Sequence, residues 1–174
     1  NANGYASVQR TYDSNRWVTG ESYFDISGNP VSCKGGYVGV KNSYDMLGNV
    51  IQENYLGEDG QPSIIARGYA IRKLTYDGHR NIVMEAFFDA QGNPVRTVDG
   101  YAAVERSYDA EQNLNDIKYL GLSGELISNK DGYATVQKTY DEKGRVLRET
   151  YYAAAGMPVL ISRGYATVLW AYDA

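Results

Sequence analysis

Apolar and polar residues alternate over short stretches that return at regular intervals. In the first stretch Ala6, Val8 and Tyr12 fall on one side and Ser7, Gln9 and Thr11 on the other. Ala134, Val136 and Tyr140 against Thr135, Gln137 and Thr139 repeat the pattern far along the chain. Period-two alternation rich in Val, Thr and Tyr predicts a half-buried strand. A second strand is predicted over 50–56, 82–88 and 146–152, as in Val50-Ile-Gln-Glu-Asn-Tyr-Leu56. No stretch of ten residues has the spacing of an amphipathic helix, and glycine returns too often for one.

The first strand belongs to a longer signature, Gly132-Tyr-Ala-Thr-Val-Gln-Lys-Thr-Tyr-Asp141. It also starts at Gly4, Gly36, Gly68, Gly100 and Gly164, always 32 residues apart. A fixed period of this size predicts repeated supersecondary units that share one core with their neighbours. The 174 residues divide into copies at 4–35, 36–67, 68–99, 100–131 and 132–163, with a closing strand at 164–174. Asn1-Ala2-Asn3 reads as the tail of a preceding copy, so the expectation is a repeat array taken from a longer protein. Two strands plus an extended connector per copy keep every copy in the same orientation, which three full strands would not. The predicted class is all-β: tandem 32-residue β-hairpin repeats in an elongated twisted sheet, solenoid or superhelix.

Turn chemistry supports the hairpins. Each first strand ends in Tyr-Asp, and the best-formed turn reads Asp45-Met-Leu-Gly48-Asn49. The Asp can accept a backbone hydrogen bond, and the Gly can take the left-handed conformation of a type I turn with a bulge. Arg16, Arg80 and Gln112 occupy that glycine position in three copies. A side chain there costs about 1 kcal/mol, so these three turns are expected to be reshaped. The second turn keeps its glycine throughout (Gly28, Gly60, Gly92, Gly124, Gly156), with Pro30, Pro62, Pro94 and Pro158 just beyond. The glycine opening each signature is expected to mark a bend or a close approach of backbones.

The predicted core is a ladder of strand-one Val and Tyr with the pairs before the second turn, Tyr23-Phe24, Tyr55-Leu56, Phe87-Phe88, Tyr119-Leu120 and Tyr151-Tyr152. Tyr12, Tyr44, Tyr76, Tyr108, Tyr140 and Tyr172 are assigned to it. The glycine-following set, Tyr5, Tyr37, Tyr69, Tyr101, Tyr133 and Tyr165, falls on the opposite face by alternation. These six are therefore the candidate ligand-binding residues, because an exposed phenol offers a flat apolar face with a polar handle. A glutamate recurs at Glu21, Glu53, Glu85 and Glu149, with Ile117 in its place in the fourth copy. Sharing a face with Tyr23, Tyr55, Phe87 and Tyr151, it must be hydrogen-bonded or near solvent. A structural bond to a tyrosine hydroxyl, a backbone group or a base such as Arg10 or Lys138 is preferred. Ligand binding and plain exposure are the alternatives.

Composition narrows the function. Net charge is −4, and phosphate contact wants concentrated Lys and Arg, so nucleic acid is not expected as a partner. Cys33 is the single cysteine and His79 the single histidine, which leaves no disulfide and no metal site to expect. No apolar run approaches the roughly 18 residues of a spanning helix. No nucleophile elbow, Walker loop, HExxH motif or dinucleotide fingerprint is present. His79 and the recurrent aspartates are turn residues, Cys33 an incidental thiol. No catalytic residue, metal or cofactor is predicted, and the chain is not expected to be an enzyme.

Two family resemblances bear on its role. Tyr44-Asp-Met-Leu-Gly-Asn-Val50 and Tyr140-Asp-Glu-Lys-Gly-Arg-Val146 resemble the Tyr-Asp repeats of bacterial surface and toxin-delivery proteins, which implies shell-like β assemblies. Tyr23-Phe-Asp-Ile-Ser-Gly-Asn-Pro-Val31 and Phe87-Phe-Asp-Ala-Gln-Gly-Asn-Pro-Val95 are similar to the hairpins of cell-wall-binding and glucan-binding repeats of Gram-positive surface proteins and clostridial toxins. In that family aromatic residues between hairpins bind choline or sugars; by position Tyr37 and Tyr101 would do so here, although the usual Gly-Trp is Gly-Tyr. This resemblance implies a non-catalytic accessory module at a bacterial cell surface, binding cell-wall glycan or a teichoic-acid-like polymer for a larger protein. The alternatives are a spacer or protein-binding scaffold without a small ligand, and part of an enzyme acting on polysaccharide.

Overall fold

The computed structural model describes residues 3–173, so Asn1 and Ala2, on which the preceding-copy reading partly rests, lie outside the described residues. The chain forms two compact units, Asn1–Val98 and Asp99–Ala174. In the first, β1 (Ser7–Tyr12), β2 (Val18–Phe24), β3 (Gly39–Tyr44), β4 (Val50–Leu56), β5 (Ile71–Tyr76) and β6 (Ile82–Phe88) pair antiparallel in sequence order. In the second, β7 (Ala103–Tyr108), β8 (Leu114–Leu120), β9 (Thr135–Tyr140), β10 (Val146–Tyr152) and β11 (Thr167–Leu169) do the same. Each unit is an open antiparallel sheet of repeated hairpins, as the alternation and the 32-residue period predict.

The hairpins are paired along their length, whereas successive hairpins meet over three register pairs, such as Gly20–Ser22 with Lys41–Gly39. Beyond those pairs the connector leaves the sheet. It touches the preceding strand at a single bridge, for example Phe24 with Pro30, and then enters a third turn before the next Gly-Tyr. The third segment is thus a bridge and a turn rather than a strand.

All three turns of a copy share one hydrogen-bond scheme. In Asp45–Asn49 the Asp45 N–H donates to the Asn49 carbonyl at 3.0 Å and the Gly48 N–H to the Asp45 carbonyl at 3.2 Å. Cys33–Tyr37 repeats this at 2.9 Å for both bonds. In the first turns, and in the second turns that begin at Asp25 and Asp89, the aspartate adds a second layer. Asp45 Oδ1 accepts from the Leu47 and Asn49 N–H groups at 2.9 and 2.8 Å. Asp25, Asp77 and Asp141 accept in the same way.

The turns at Arg16, Arg80 and Gln112 are not reshaped. These residues take φ of 65°, 68° and 68°, and their turns keep both backbone bonds. The strands on either side fix the turn, so the strain stays local. Arg16→Gly is therefore expected to raise stability by about 0.5–1 kcal/mol, the left-handed penalty less the entropy of a glycine, as read by urea denaturation. Arg80→Gly gains less, because Arg80 Nη2 donates to the Leu47 carbonyl.

The third turns stack copy upon copy. Lys34 N–H donates to the Asn3 carbonyl, Ala66 N–H to Gly35 and Val98 N–H to Arg67, each at 3.0 Å; in the second unit Lys130 N–H donates to Asp99 at 2.8 Å. This column approaches Gly4, Gly36, Gly68 and Gly100, whereas a Cβ on Gly132 or Gly164 would meet nothing within 4 Å. A Cβ on Gly68, at φ 92°, would sit 3.2 Å from the Val98 nitrogen. The sheet and the turn column enclose the apolar layer between them, including Tyr23, Val40, Ile65, Tyr69 and Phe87 in the first unit and Val136, Tyr151 and Ile161 in the second. The other face of each sheet is mostly polar, carrying Lys41, Asn54 and Lys73 in one and Glu105, Lys118 and Gln137 in the other.

Candidate functional site

The glycine-following tyrosines do not stand on the opposite face. The strand proper starts two residues after them, at Thr135 in the case of Tyr133, and the chain bends between. Alternation read back through that bend gives the wrong side. The structure instead inserts these rings between the strand-two aromatics. In the first unit ring centroids follow Tyr5–Tyr23 at 4.6 Å, Tyr23–Tyr37 at 5.8 Å, Tyr37–Tyr55 at 4.9 Å, Tyr55–Tyr69 at 5.7 Å and Tyr69–Phe87 at 4.7 Å. In the second, Tyr101, Tyr119, Tyr133, Tyr151 and Tyr165 follow at 4.8, 5.7, 4.8 and 6.1 Å. Each pair lies in the range where aromatic contacts contribute about 0.5–1.5 kcal/mol beyond area burial. Tyr69 is 3% exposed, and Tyr5, Tyr37, Tyr101, Tyr133 and Tyr165 are half-buried.

The second tyrosine set, expected in the core, lies nearer the surface. Its hydroxyls reach across to the neighbouring hairpin: Tyr44 donates to the Val18 carbonyl at 2.7 Å, Tyr76 to Val50 at 2.8 Å, Tyr140 to Leu114 at 2.6 Å and Tyr172 to Val146 at 2.8 Å. Tyr12, on the edge strand β1, is 58% exposed. These rings clamp adjacent hairpins at their turn ends, beyond the cover of the third-turn column.

The recurrent glutamates lie inside the ladder. Glu21 accepts from Tyr23 Oη at 3.0 Å and from Arg10 Nε at 2.6 Å. Glu149 accepts from the Tyr151 hydroxyl and pairs with Lys138 Nζ at 2.8 Å. Glu53 accepts from Tyr55 Oη at 2.9 Å, and its cation is Arg72 at 2.9 Å, which also holds Glu85 at 2.6 Å. One arginine therefore serves two copies. The sequence carries its trace: in the third copy the base moves from position 74, now Leu74, to position 72, where the other copies have Val8, Val40, Val104 and Val136. Where Ile117 replaces the glutamate it packs on the Val136, Tyr151 and Ile161 cluster.

Burial raises the hydroxyls of several ladder tyrosines. It pushes up Tyr23, with Glu21 adding to the effect, and likewise Tyr55 and Tyr151 beside Glu53 and Glu149. Tyr37 is pushed up to about 12, by burial and then by Cys33. Burial alone would raise Glu149 too, but hydrogen bonds from Lys138 and Tyr151 hold it below its ordinary value. A phenol whose folded pKa exceeds the unfolded value of about 10 adds stability that is complete below pH 10 and is lost as pH climbs through the folded value. In an alkaline titration followed by tyrosinate absorbance, Tyr23, Tyr37, Tyr55, Tyr119 and Tyr151 are expected to ionise in a phase displaced above about pH 10. Loss of the β circular-dichroism signal should accompany that displaced phase. A single phase near pH 10 with the fold intact would contradict the ladder.

Three equivalent clefts open between successive third turns. One of about 220 Å3 includes Tyr5, Tyr23, Lys34 and Tyr37; one of about 210 Å3 includes Asp99, Tyr101, Lys130 and Tyr133; one of about 240 Å3 includes Asp131, Tyr133, Tyr151 and Arg163. They are smaller than the roughly 300–1,000 Å3 of small-molecule pockets. Their tyrosines are repeated, but their polar rims differ in charge from copy to copy. His79 and Cys33 take no part in a constellation with each other: His79 donates its backbone N–H to Asp77 in a first turn, and Cys33 starts a third turn. No helix of the described residues is long and apolar enough to cross a membrane.

No protein-family model matches the chain, and no curated protein matches it. Among solved structures it is similar to a chain of the Tc holotoxin pore of Photorhabdus luminescens, at 11% sequence identity and a TM-score of 0.44. That likeness covers 83% of this chain and 9% of the other, so the chain spans under a tenth of that relative's length.

Proposed function

We propose that the chain is a non-catalytic scaffold of a larger bacterial surface protein, in which the glycine-following tyrosines fasten copy to copy rather than hold a ligand. The observation that carries this reading is the unbroken alternation of those rings with the strand-two aromatics in each unit. A ring packed on both sides has no face left for a sugar, and such a scaffold presents its polar sheet face and its turns to partners. A second reading, binding of wall glycan or teichoic-acid-like polymer through the ladder, draws on the three clefts, where the half-buried tyrosines show their edges.

Tyr→Phe changes at Tyr37, Tyr101 and Tyr133 separate the two, since they keep the stack and remove at least one tyrosine hydroxyl from each of the three clefts. On the scaffold reading, sedimentation with insoluble cell-wall preparations or with purified teichoic acid is the same for the parent chain and the triple variant. Binding that disappears in the triple variant alone would replace it with the second reading.

A further inference from the structure

One first turn departs from the others in a way that turn formation does not explain. Asn49, Asn81 and Asn113 follow their turns and donate Nδ2 back to Oδ2 of the turn aspartate, at 2.8, 3.1 and 3.0 Å. Arg145 does the same with Nε at 2.7 Å. In the first copy that position is Trp17. Asp13 Oδ1 still accepts the two backbone N–H groups at 2.9 Å, but among the described residues no side-chain donor reaches its Oδ2. Trp17 thus leaves a carboxylate oxygen open and sets an indole beside it.

The indole has a fixed seat. It packs against Tyr44, centroids 5.3 Å apart at 41°, and lies over Gly48, where a Cβ would come within 2.9 Å of its ring. The Tyr44 hydroxyl is already committed to the Val18 carbonyl, so the pair offers ring surface. Trp17 remains half-buried, and among the described residues its indole N–H meets no acceptor. The two rings floor a shallow depression of about 470 Å3 whose rim carries Asp13, Asn15, Asn42 and Asp45. Its counterpart in the second unit, about 370 Å3, has Asn113 in place of the indole and adds Glu111 and Glu142.

We infer that the Trp17–Tyr44 depression is a binding site for a neutral saccharide. A pyranose presents an apolar C–H face that stacks on an aromatic ring, and hydroxyls at its edge that need both acceptors and donors. Asp13 Oδ2 accepts from one hydroxyl, the Trp17 N–H donates to another, and the Asn15 amide can do either. The open form and the volume suit one or two sugar units of a chain rather than an enclosed small molecule. Its lining holds two carboxylates and no cation, which selects against phosphate-bearing polymers. The inference does not rest on the scaffold reading: it concerns a turn outside the ladder.

Trp17 and Trp170 are the chain's two tryptophans, so in a Trp170→Phe background Trp17 reports alone. Its fluorescence is to be titrated with cellohexaose, maltohexaose and chitohexaose, with phosphocholine and teichoic acid in parallel. The expected result is a saturable change with at least one neutral oligosaccharide. By calorimetry, binding of the same sugar to the otherwise unchanged chain should weaken about tenfold or more in Trp17→Asn, about 1.4 kcal/mol. That variant installs the residue that closes this turn in three other copies, so its melting curve should show an intact fold. Three outcomes would each overturn the site: no saturable response to any of the three sugars, equal affinity in Trp17→Asn, or a response only to phosphocholine or teichoic acid.

Discussion

Tyr69→Ala is expected to lower the stability of the first unit by about 3–5 kcal/mol, the usual cost of removing a large buried aromatic side chain. Tyr69 is 3% exposed and stands between Tyr55 and Phe87, at 5.7 and 4.7 Å. The truncation removes two ring contacts and opens a cavity under Ile65, whose N–H bonds to the Tyr69 carbonyl in the third turn. Relaxation can close little of it, because the turn column is fixed by its own hydrogen bonds. Two companions separate ring from hydroxyl and core from surface. Tyr69→Phe keeps the stack and should cost about 1 kcal/mol or less. Tyr12→Ala, at an exposed edge, should cost about 0.5 kcal/mol or less. Urea denaturation of the three variants is the measurement. If Tyr69→Ala were as mild as Tyr12→Ala, the ladder would not be what holds the copies together.

Arg72→Ala is expected to cost about 3 kcal/mol, although it deletes no aromatic and shortens no strand. Its guanidinium sits between Glu53 and Glu85, whose side chains are 22% and 13% exposed, and is itself 25% exposed. Removing one partner of a buried pair costs roughly 3–5 kcal/mol because the charge left behind is uncompensated, and the partial exposure of Glu53 places this case at the lower end. Hydrogen bonds from Arg72 Nη1 to Glu53 and Nε to Glu85 are lost together. Compensation should be directional. Adding Leu74→Arg to Arg72→Val recreates the arrangement of Arg10 and Glu21 for Glu85 alone, since position 74 faces Glu85 across the hairpin. About half of the loss should return, with Glu53 still unpaired. Adding Glu85→Gln to Arg72→Ala should also recover part, by removing one stranded charge. A denaturation series that showed Arg72→Ala to be neutral would mean the two carboxylates are solvated in the folded chain.

Much of this fold is legible without coordinates. The alternation around Val8, Val136 and Tyr140, the Asp-x-x-Gly turns and the 32-residue spacing of the signature lead to paired hairpins in an open sheet. Glu21, Glu53 and Glu149 each meet a tyrosine hydroxyl and a base, because strict alternation holds inside a strand and fixes who shares a face. Arg72 was hidden for a simple reason. A base displaced by two residues keeps its face but changes its neighbours, and only the register between hairpins shows that it reaches two carboxylates. The Trp17 depression has a signal in the sequence too, a tryptophan where the aligned copies carry Asn49, Asn81 and Asn113. Its meaning required the turn geometry, since only the bond from Asn Nδ2 to the aspartate shows what the tryptophan gives up.

Local rules also determined the left-handed positions, yet not what happens when a side chain falls on one. Arg16, Arg80 and Gln112 adopt positive φ because the flanking strands outweigh a penalty of about 1 kcal/mol each. By itself, the sequence determined the period, the strands, the turns and the faces within each strand, all of which follow from interactions between residues close along the chain. The tertiary structure alone decided where the glycine-following tyrosines point. Alternation carries information only along an unbroken strand, and the bend after each of those tyrosines ends it. Stacking of the third turns then brings the rings back over the sheet, so a set that reads as an exposed ladder becomes the layer that joins one copy to the next.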